Sequence, residues 1–274
     1  MTWLRELDLA LELAVTGGEE ALRLYAELPA VADPPADLTT AADLAVQTLL
    51  VAGLRRAFPG DGILAEEATG GALPSPAESP RHWAVDPIDG TRGFARKNGE
   101  FALQVALVAA GEPVVAVVYE PVPERLTWAT RDGGCWVCLP GRGRPARCRV
   151  SDAGERPRLA VSRARPPDEV AALAAAFAAA ATVRTYSAGI KLALVARGEC
   201  DVYLGDYLAL ADWDVAPGHL LVAEAGGRVT DAGGRAIRYD GSGRSLAGRG
   251  LLASNGRLHV AALAAVAAGR VPVS

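Results

Sequence analysis

Hydrophobic side chains recur every three to four positions over residues 4–26 and again over residues 43–58. This spacing is the period of an amphipathic α-helix, so both stretches are predicted to be helices that bury one face. The segment between them, residues 29–36, is rich in proline and breaks the pattern. The chain is therefore predicted to begin with two helices joined by a loop.

Short apolar runs replace the helical period in the next part of the chain. Residues 63–65 and 82–85 are apolar runs that end in acidic residues, a pattern typical of buried strands. Apolar runs separated by tight turns continue over residues 101–150 and predict an antiparallel or mixed sheet. A proline- and serine-rich stretch, residues 73–80, joins the first two strands and is predicted to be a loop that shapes access to a site.

Helices and strands alternate in the rest of the chain. Helices are predicted for residues 168–181, 190–196 and 215–225, and short strands for residues 158–162, 183–185 and 201–204. Taken with the first half, the alternation indicates an α/β or α+β fold. We divide the chain into an N-terminal α+β half, residues 1–150, and a C-terminal α/β half, residues 151–274.

Composition is that of a soluble enzyme. The 274 residues are 50% hydrophobic with a net charge of −4, enough for one large or two small domains. The first residues form no signal segment, and no apolar stretch reaches the roughly 20 residues that cross a bilayer. We expect a cytoplasmic monomer or homodimer with no membrane or nucleic-acid polymer as partner, and we interpret the arginine-rich stretch at residues 142–149 as a solvated loop.

The positions of the cysteines and lysines limit the kinds of catalytic or metal site that the chain can form. Cys135 and Cys138 form a C-x-x-C pair on a predicted strand. A zinc ion at this pair would need two further soft ligands nearby. We therefore favour reduced cysteines that pack in the protein interior, and a redox role stays open. The two lysines, Lys97 and Lys191, do not belong to a Gly-Lys-Ser/Thr loop, which argues against a common kinase or ATPase.

Residues 86–91, Asp-Pro-Ile-Asp-Gly-Thr, carry two carboxylates three positions apart. Pro87 keeps the backbone extended, so that both carboxylates and a backbone carbonyl can converge. Such oxygen ligands suit Mg²⁺ or Mn²⁺. A helix predicted over residues 91–97 would direct the N–H groups of Gly90 and Thr91 towards a bound anion such as phosphate. An ordinary surface turn is the alternative.

Two further acidic clusters favour the metal site. Glu66 and Glu67 follow the strand at residues 63–65, and Asp212 and Asp214 begin a predicted helix. Carboxylates beside buried strands are costly unless a cation or hydrogen bonds compensate them. A site with more than one metal ion would supply that compensation.

The motifs resemble the signatures of the inositol monophosphatase superfamily. The similar segments are Glu66-Glu67, residues 86–91, Trp213-Asp214-x-Ala216, residues 224–227, the D-x-x-T-x-x-D segment at residues 37–43 and the carboxy-terminal residues 252–255. The resemblance implies a five-layer α-β-α-β-α sandwich and a metal-dependent phosphomonoesterase that acts on a small phosphate ester.

Within that superfamily, three segments resemble CysQ-type 3′(2′),5′-bisphosphate nucleotidases: residues 94–101, 161–163 and 187–191. A substrate with a second phosphate needs further cations, for which Arg163, Arg165 and Lys191 are candidates. The chain departs from those nucleotidases at residues 30–36, where they carry a lysine. Inositol 1-phosphate is the alternative substrate, and a metal-binding protein without catalysis is the alternative from another class.

The resemblance also implies roles for single residues. It assigns the ions to Glu66, Asp86, the Ile88 carbonyl, Asp89 and Asp214. Thr91, polarised by Asp43, would orient the attacking water, and Glu66 would assist its deprotonation. Gly90, Thr91, Arg163 and Lys191 would bind phosphate. The expected cofactor is two or three Mg²⁺ ions, with Mn²⁺ as a substitute and Li⁺ as an inhibitor.

Overall fold

A computed structural model describes residues 3–67, 79–139, 143–205 and 210–269. Of the predicted loop at residues 73–80, only the last two residues fall within this range. No helix in the described residues is both long enough and apolar enough to cross a membrane.

The first sheet has seven strands, which lie side by side in chain order. They are β1 (Gly62–Ala65), β2 (Arg81–Asp89), β3 (Ala102–Ala109), β4 (Glu112–Glu120), β5 (Arg125–Thr130), β6 (Gly134–Cys138) and β7 (Ala146–Arg147). Strands β1 and β2 run parallel, and every later pair is antiparallel. The antiparallel or mixed sheet predicted for residues 101–150 is confirmed, since strands β3 to β7 pair antiparallel.

The second sheet has five strands. They are β8 (Arg158–Ser162), β9 (Ala181–Thr185), β10 (Val202–Gly205), β11 (Arg228–Asp231) and β12 (Leu251–Ser254). Their spatial order is β11-β12-β10-β8-β9, in which β8 pairs in parallel with β9 and β10 while β12 is antiparallel to both of its neighbours.

Seven helices in the described residues cover the sheets. They are α1 (Leu4–Glu27), α2 (Ala41–Ala57), α3 (Thr91–Ala95), α4 (Pro167–Ala176), α5 (Ala188–Ala196), α6 (Asp212–Glu224) and α7 (His259–Ala267). The two helices predicted at the start of the chain are confirmed to within a few residues.

Successive side chains of a strand point to opposite faces of the sheet, and the two faces pack against different helices. Leu103, Val105 and Leu107 of β3 pack with α1 and α2, whereas Ala102 and Ala106 point towards α5 and α6. Helices α5 and α6 also contact the inner face of the second sheet, and α4 and α7 cover its outer face. The order of layers is α-β-α-β-α, as expected from the resemblance.

One predicted helix end is wrong. The pattern extended a helix to residue 181, but α4 ends at Ala176, and Ala178 adopts a left-handed conformation with φ of 47°. Ala181 pairs with Arg158 as the first residue of β9. Hydrogen bonds of the sheet therefore override the helical propensity of an alanine-rich segment.

The division at residue 150 stays a prediction. All strands of the first sheet precede that residue and all strands of the second follow it. The middle layer, α5 and α6, packs against both sheets, so one shared core joins the proposed halves.

Candidate active site

Three carboxylates meet where β2 of the first sheet faces the first turn of helix α6. Asp86 and Asp89 lie on β2, and Asp214 lies in the first turn of α6. One carboxylate oxygen from each of the three lies within 4.8 Å of the others. Asp86 and Asp89 are buried.

An irregularity in β2 brings Asp86 and Asp89 together. In a regular strand, residues three positions apart face opposite sides. The pairing of β2 with β3 shifts register between Asp86 and Asp89. Pro87 lies within the shift and has no N–H group for the ladder, as is typical of bulges.

Asp89 is held by the N-terminus of α5. Its carboxylate accepts hydrogen bonds from the N–H groups of Ala188 at 3.0 Å and Gly189 at 2.6 Å, from the hydroxyl of Ser187, and from the Gln104 side chain at 2.9 Å. Three of these donors bond one oxygen, so the other oxygen keeps an acceptor position for a cation. The contact joins β2 of the first sheet to helix α5 of the middle layer at the carboxylate cluster.

Glu66 adjoins the cluster from the end of β1. The residue as a whole is exposed, but its carboxyl group lies against Asp86, to which it is hydrogen-bonded. Loss of hydration, followed by repulsion from neighbouring carboxylates, raises the pKa of Glu66 to about 8 and that of Asp214 to about 7. Burial likewise raises the pKa of Asp86.

The donor set fits divalent cations. Oδ1 of Asp86 is buried and, within the described ranges, has no hydrogen-bond partner. Such an atom is costly unless a cation or a donor satisfies it. Several carboxylates with raised pKa values around it form the oxygen-rich environment that Mg²⁺ or Mn²⁺ prefers.

Thr91 begins α3 beside the cluster. Its hydroxyl lies 3.2 Å from a carboxylate oxygen of Asp43 and 3.1 Å from the carbonyl oxygen of Ile88. Asp43 is buried in the first turn of α2, where it also accepts hydrogen bonds from the N–H and hydroxyl groups of Thr40 at 2.8 and 2.6 Å. The cap of α2 thus fixes the carboxylate that faces Thr91.

A cavity of 340 Å³ opens at the cluster. Side chains of both halves line it, including Glu66, Asp86, Asp89, Thr91, Lys191 and Asp214. The structure therefore brings the predicted metal ligands, the predicted water-orienting threonine and one predicted phosphate-binding lysine to one place.

The predicted cations differ in position. Lys191 lines the cavity, and its amine donates to the Tyr186 carbonyl at 2.9 Å; burial lowers its pKa to about 8. Arg163 is not among the lining residues, because Glu100 and the Arg184 carbonyl bind its guanidinium. Arg165 is buried and bonds Glu169 at 3.3 Å.

Sequence reasoning missed Arg92 and Tyr186. Both line the cavity, and the Arg92 guanidinium lies 5.5 Å from the centroid of the Tyr186 ring. The position of Arg92, directly after the motif at residues 86–91, was an available signal. Asp212, in contrast, is structural, because it accepts hydrogen bonds from the N–H and hydroxyl groups of Ser245, both at 2.8 Å.

Comparisons with known proteins agree with this architecture. Residues 3–270 match the inositol monophosphatase family. The chain is 31% identical to the 3′(2′),5′-bisphosphate nucleotidase CysQ of Escherichia coli K12, over 85% of this chain and 93% of that protein. It is 35% identical to the histidinol-phosphatase of Mycobacterium tuberculosis, over 96% and 98% of the respective chains. An inositol monophosphatase structure from Anabaena matches with a TM-score of 0.79 at 28% identity, covering 99% and 98%.

The sandwich, the carboxylate cluster and these relatives together define a class of enzyme, the phosphoric monoester hydrolases. The chain belongs to the inositol monophosphatase family. Membership implies a small-molecule phosphate ester as substrate and, in general for this family, dependence on a metal ion.

Proposed function

We propose that the protein is a Mg²⁺-dependent phosphatase that removes the 3′-phosphate from 3′-phosphoadenosine 5′-phosphate. The observation that carries the substrate assignment is the pair of cations, Lys191 and Arg92, in the cavity beside the carboxylate cluster. A substrate with two phosphates needs positive charge beyond the metal site. Tyr186 adds an aromatic face for the adenine ring.

Arg92 is suited to the second phosphate. Its buried Nε atom has no hydrogen-bond partner in the described part of the chain, so an acceptor at this point would satisfy it. The cavity also includes Ala36, from the segment in which nucleotidases of this type carry a lysine. We infer that Arg92 supplies the positive charge that this segment lacks.

Glu66, Asp86, the Ile88 carbonyl, Asp89 and Asp214 would hold two Mg²⁺ ions, with room for a third near Glu66. When bound, these ions would neutralise the phosphate and acidify a water molecule. Gly90 and Thr91 are the proposed backbone donors to the phosphate. Mn²⁺ is the proposed substitute metal, and Li⁺ the proposed inhibitor.

The protein's own side chains would position the water. The Thr91 hydroxyl, by donating to Asp43, keeps its oxygen lone pairs available to accept a hydrogen bond from that water. Glu66, which lines the cavity, would take the proton. Binding and orientation by fixed groups supply most of the barrier reduction in such reactions.

Two related substrates are less well matched. Inositol 1-phosphate has no second anionic group for Arg92. Histidinol phosphate, the substrate class suggested by the name of the mycobacterial relative, carries an amine that Arg92 and Lys191 would repel.

Phosphate release from these three compounds should be compared with Mg²⁺, with EDTA and with added Li⁺. We expect preference for the bisphosphate nucleotide and loss of activity in EDTA. Arg92→Gln should reduce kcat/KM for the nucleotide more than for inositol 1-phosphate. Arg96→Gln is the matched control, because Arg96 also lies over Tyr186, at 5.9 Å, and pairs with Asp33 but does not line the cavity. Preference for either other compound would contradict the nucleotide assignment and leave the metal site standing.

A further inference from the structure

A second cavity, of 570 Å³, lies beside β6 and β7 and the C-terminal end of α5. Its lining includes five arginines and one acidic residue. The arginines are Arg125, Arg144, Arg147, Arg149 and Arg197, and the acidic residue is Glu199. The arginine-rich stretch that the sequence suggested to be a solvated loop thus forms one wall of a concave, strongly positive site, here called the arginine cavity.

Arg197 anchors the arginine cavity from inside the protein. Its side chain is only 4% exposed. Its Nε donates to Glu199 at 2.7 Å, and its Nη1 donates to Glu120 at 2.8 Å and Thr127 at 3.1 Å. Its Nη2 is buried and finds no hydrogen-bond partner among the residues that the structure describes. A buried guanidinium with an unused donor favours an additional acceptor.

Acidic groups around the arginine cavity are too few to balance its charge. Glu199 serves both Arg197 and Arg125, the latter at 3.2 Å. Within the described part of the chain, Arg144, Arg147 and Arg149 have no ion pair. Like charges that line one cavity repel each other, and a bound anion would reduce that repulsion.

Two observations indicate that the arginines are partly ordered before any ligand binds. The Arg147 guanidinium lies 5.9 Å from the centroid of the Trp136 ring and against Gly134. Arg197 is fixed by its three bonds. Ordered guanidinium groups lose little conformational entropy on binding and match phosphate or sulfate oxygens in geometry.

We propose that the arginine cavity binds a small polyanion that carries phosphate or sulfate groups. The site differs from the active site, because Arg197 follows the last residue of α5 whereas Ala188 and Gly189 at its first turn hold Asp89. Nine helical residues separate the two ends by about 13 Å. Both sites can therefore be occupied at once, and the proposal does not depend on the substrate of the enzyme.

Calorimetric titration of the whole protein with tripolyphosphate, in EDTA, tests the proposal. Without metal ions the carboxylate cluster repels anions, so binding at the active site is suppressed. We expect saturable binding of one tripolyphosphate per chain, weakened by added salt. The double variant Arg147→Gln/Arg149→Gln should bind at least about tenfold more weakly and keep its phosphatase activity with Mg²⁺.

The matched control is Arg55→Gln/Arg56→Gln, which removes the same charge from two exposed positions in the last turn of α2. This control should bind tripolyphosphate as the unmodified protein does. Absence of saturable binding to the unmodified protein would overturn the proposal. So would an equal loss in both double variants, since that result would show attraction to net charge alone.

Discussion

The hydroxyl of Thr91 lies 3.2 Å from a carboxylate oxygen of Asp43, which precedes it by 48 positions in the chain. A hydroxyl has one proton to donate, and a carboxylate is a stronger acceptor than the neighbouring Ile88 carbonyl. Asp43 therefore sets the direction of the Thr91 hydroxyl, and the capping of α2 sets the position of Asp43.

Replacement of this hydroxyl tests whether the site is catalytic or only binds metal. Thr91→Ala should lower kcat by about 100-fold or more, because the water loses its orienting group. Magnesium affinity, measured by calorimetry, should stay close to that of the unmodified enzyme. Thr91→Ser keeps the hydroxyl and should retain most activity. If Thr91→Ala loses metal binding to the same extent as activity, the orienting role is wrong.

Asp214 and Asp212 lie two positions apart in the chain, so the same substitution at each position gives a test and its control. Asp214→Asn removes one charge from the carboxylate cluster, so activity should fall steeply and require more Mg²⁺. Asp212→Asn weakens the bonds to Ser245 and should lower stability by about 1–3 kcal/mol, with kcat preserved at saturating Mg²⁺. Magnesium titrations of activity and thermal unfolding distinguish the two. Equal magnesium dependence in both variants would contradict the metal assignment.

Asp89→Asn is a further test of the metal ligands. The amide should weaken Mg²⁺ binding, and its N–H₂ group would oppose the donors of Ala188 and Gly189. We therefore expect loss of activity together with a lower Tm. Full activity in this variant would refute the assignment of Asp89.

The metal-free protein should lose stability as pH rises from 6.5 to 8. Between these pH values folded Glu66 and Asp214, with pKa values raised to about 8 and about 7, hold protons that the unfolded chain has already lost, so the free energy of unfolding falls as pH rises. Each extra proton held by the folded state changes that energy by about 1.4 kcal/mol per pH unit.

The lower pH of 6.5 is chosen so that the histidines do not contribute to the change in stability. The pKa values of His219 and His259 are lowered to about 4, so their contribution to stability grows with pH only up to 6.5. The upper pH of 8 is chosen so that Lys191, whose pKa is lowered to about 8, contributes little to the change in stability. Thermal unfolding in EDTA at the two pH values measures the effect, and Mg²⁺ should reduce or reverse it. Asp214→Asn should flatten the slope in EDTA; an unchanged slope would contradict the prediction.

Gly93→Ala should destabilise the α3 turn. An added methyl carbon would lie 2.3 Å from the backbone carbonyl oxygen of Glu100, which cannot move aside as a flexible side chain could. A cost of about 1–3 kcal/mol is expected. Gly60→Ala, where no atom lies within 4 Å of the added carbon, is the control. Urea unfolding of both variants measures the difference, and equal stability would show that the turn adjusts.

Sequence periodicity was sufficient where local packing decides the structure. The helix predicted for residues 4–26 ends one residue later, at Glu27. Periodicity gave the wrong structure for residues 177–181, where pairing with β8 decides the conformation. Strand β11 was missed because its four residues have too little pattern of their own.

At the site, sequence motifs identified which residues meet but not how they are held. The convergence of Asp86 and Asp89 was predicted from Pro87, and the register shift is its structural basis. The donors of Ala188 and Gly189 to Asp89 come from residues about 100 positions away, which no local pattern reveals. Likewise, only the structure shows that Glu100 engages Arg163 while Lys191 reaches the cavity.

The dependence of Asp89 on α5, and of the cluster on Asp214 in α6, has a consequence for biosynthesis. A nascent chain that has passed residue 150 already carries Glu66, Asp86 and Asp89, yet lacks the helix that holds Asp89 and the last carboxylate. The carboxylate cluster is therefore complete only after the ribosome has synthesised α6. On the proposed assignment of these carboxylates, prematurely terminated products would be unable to hydrolyse phosphate esters.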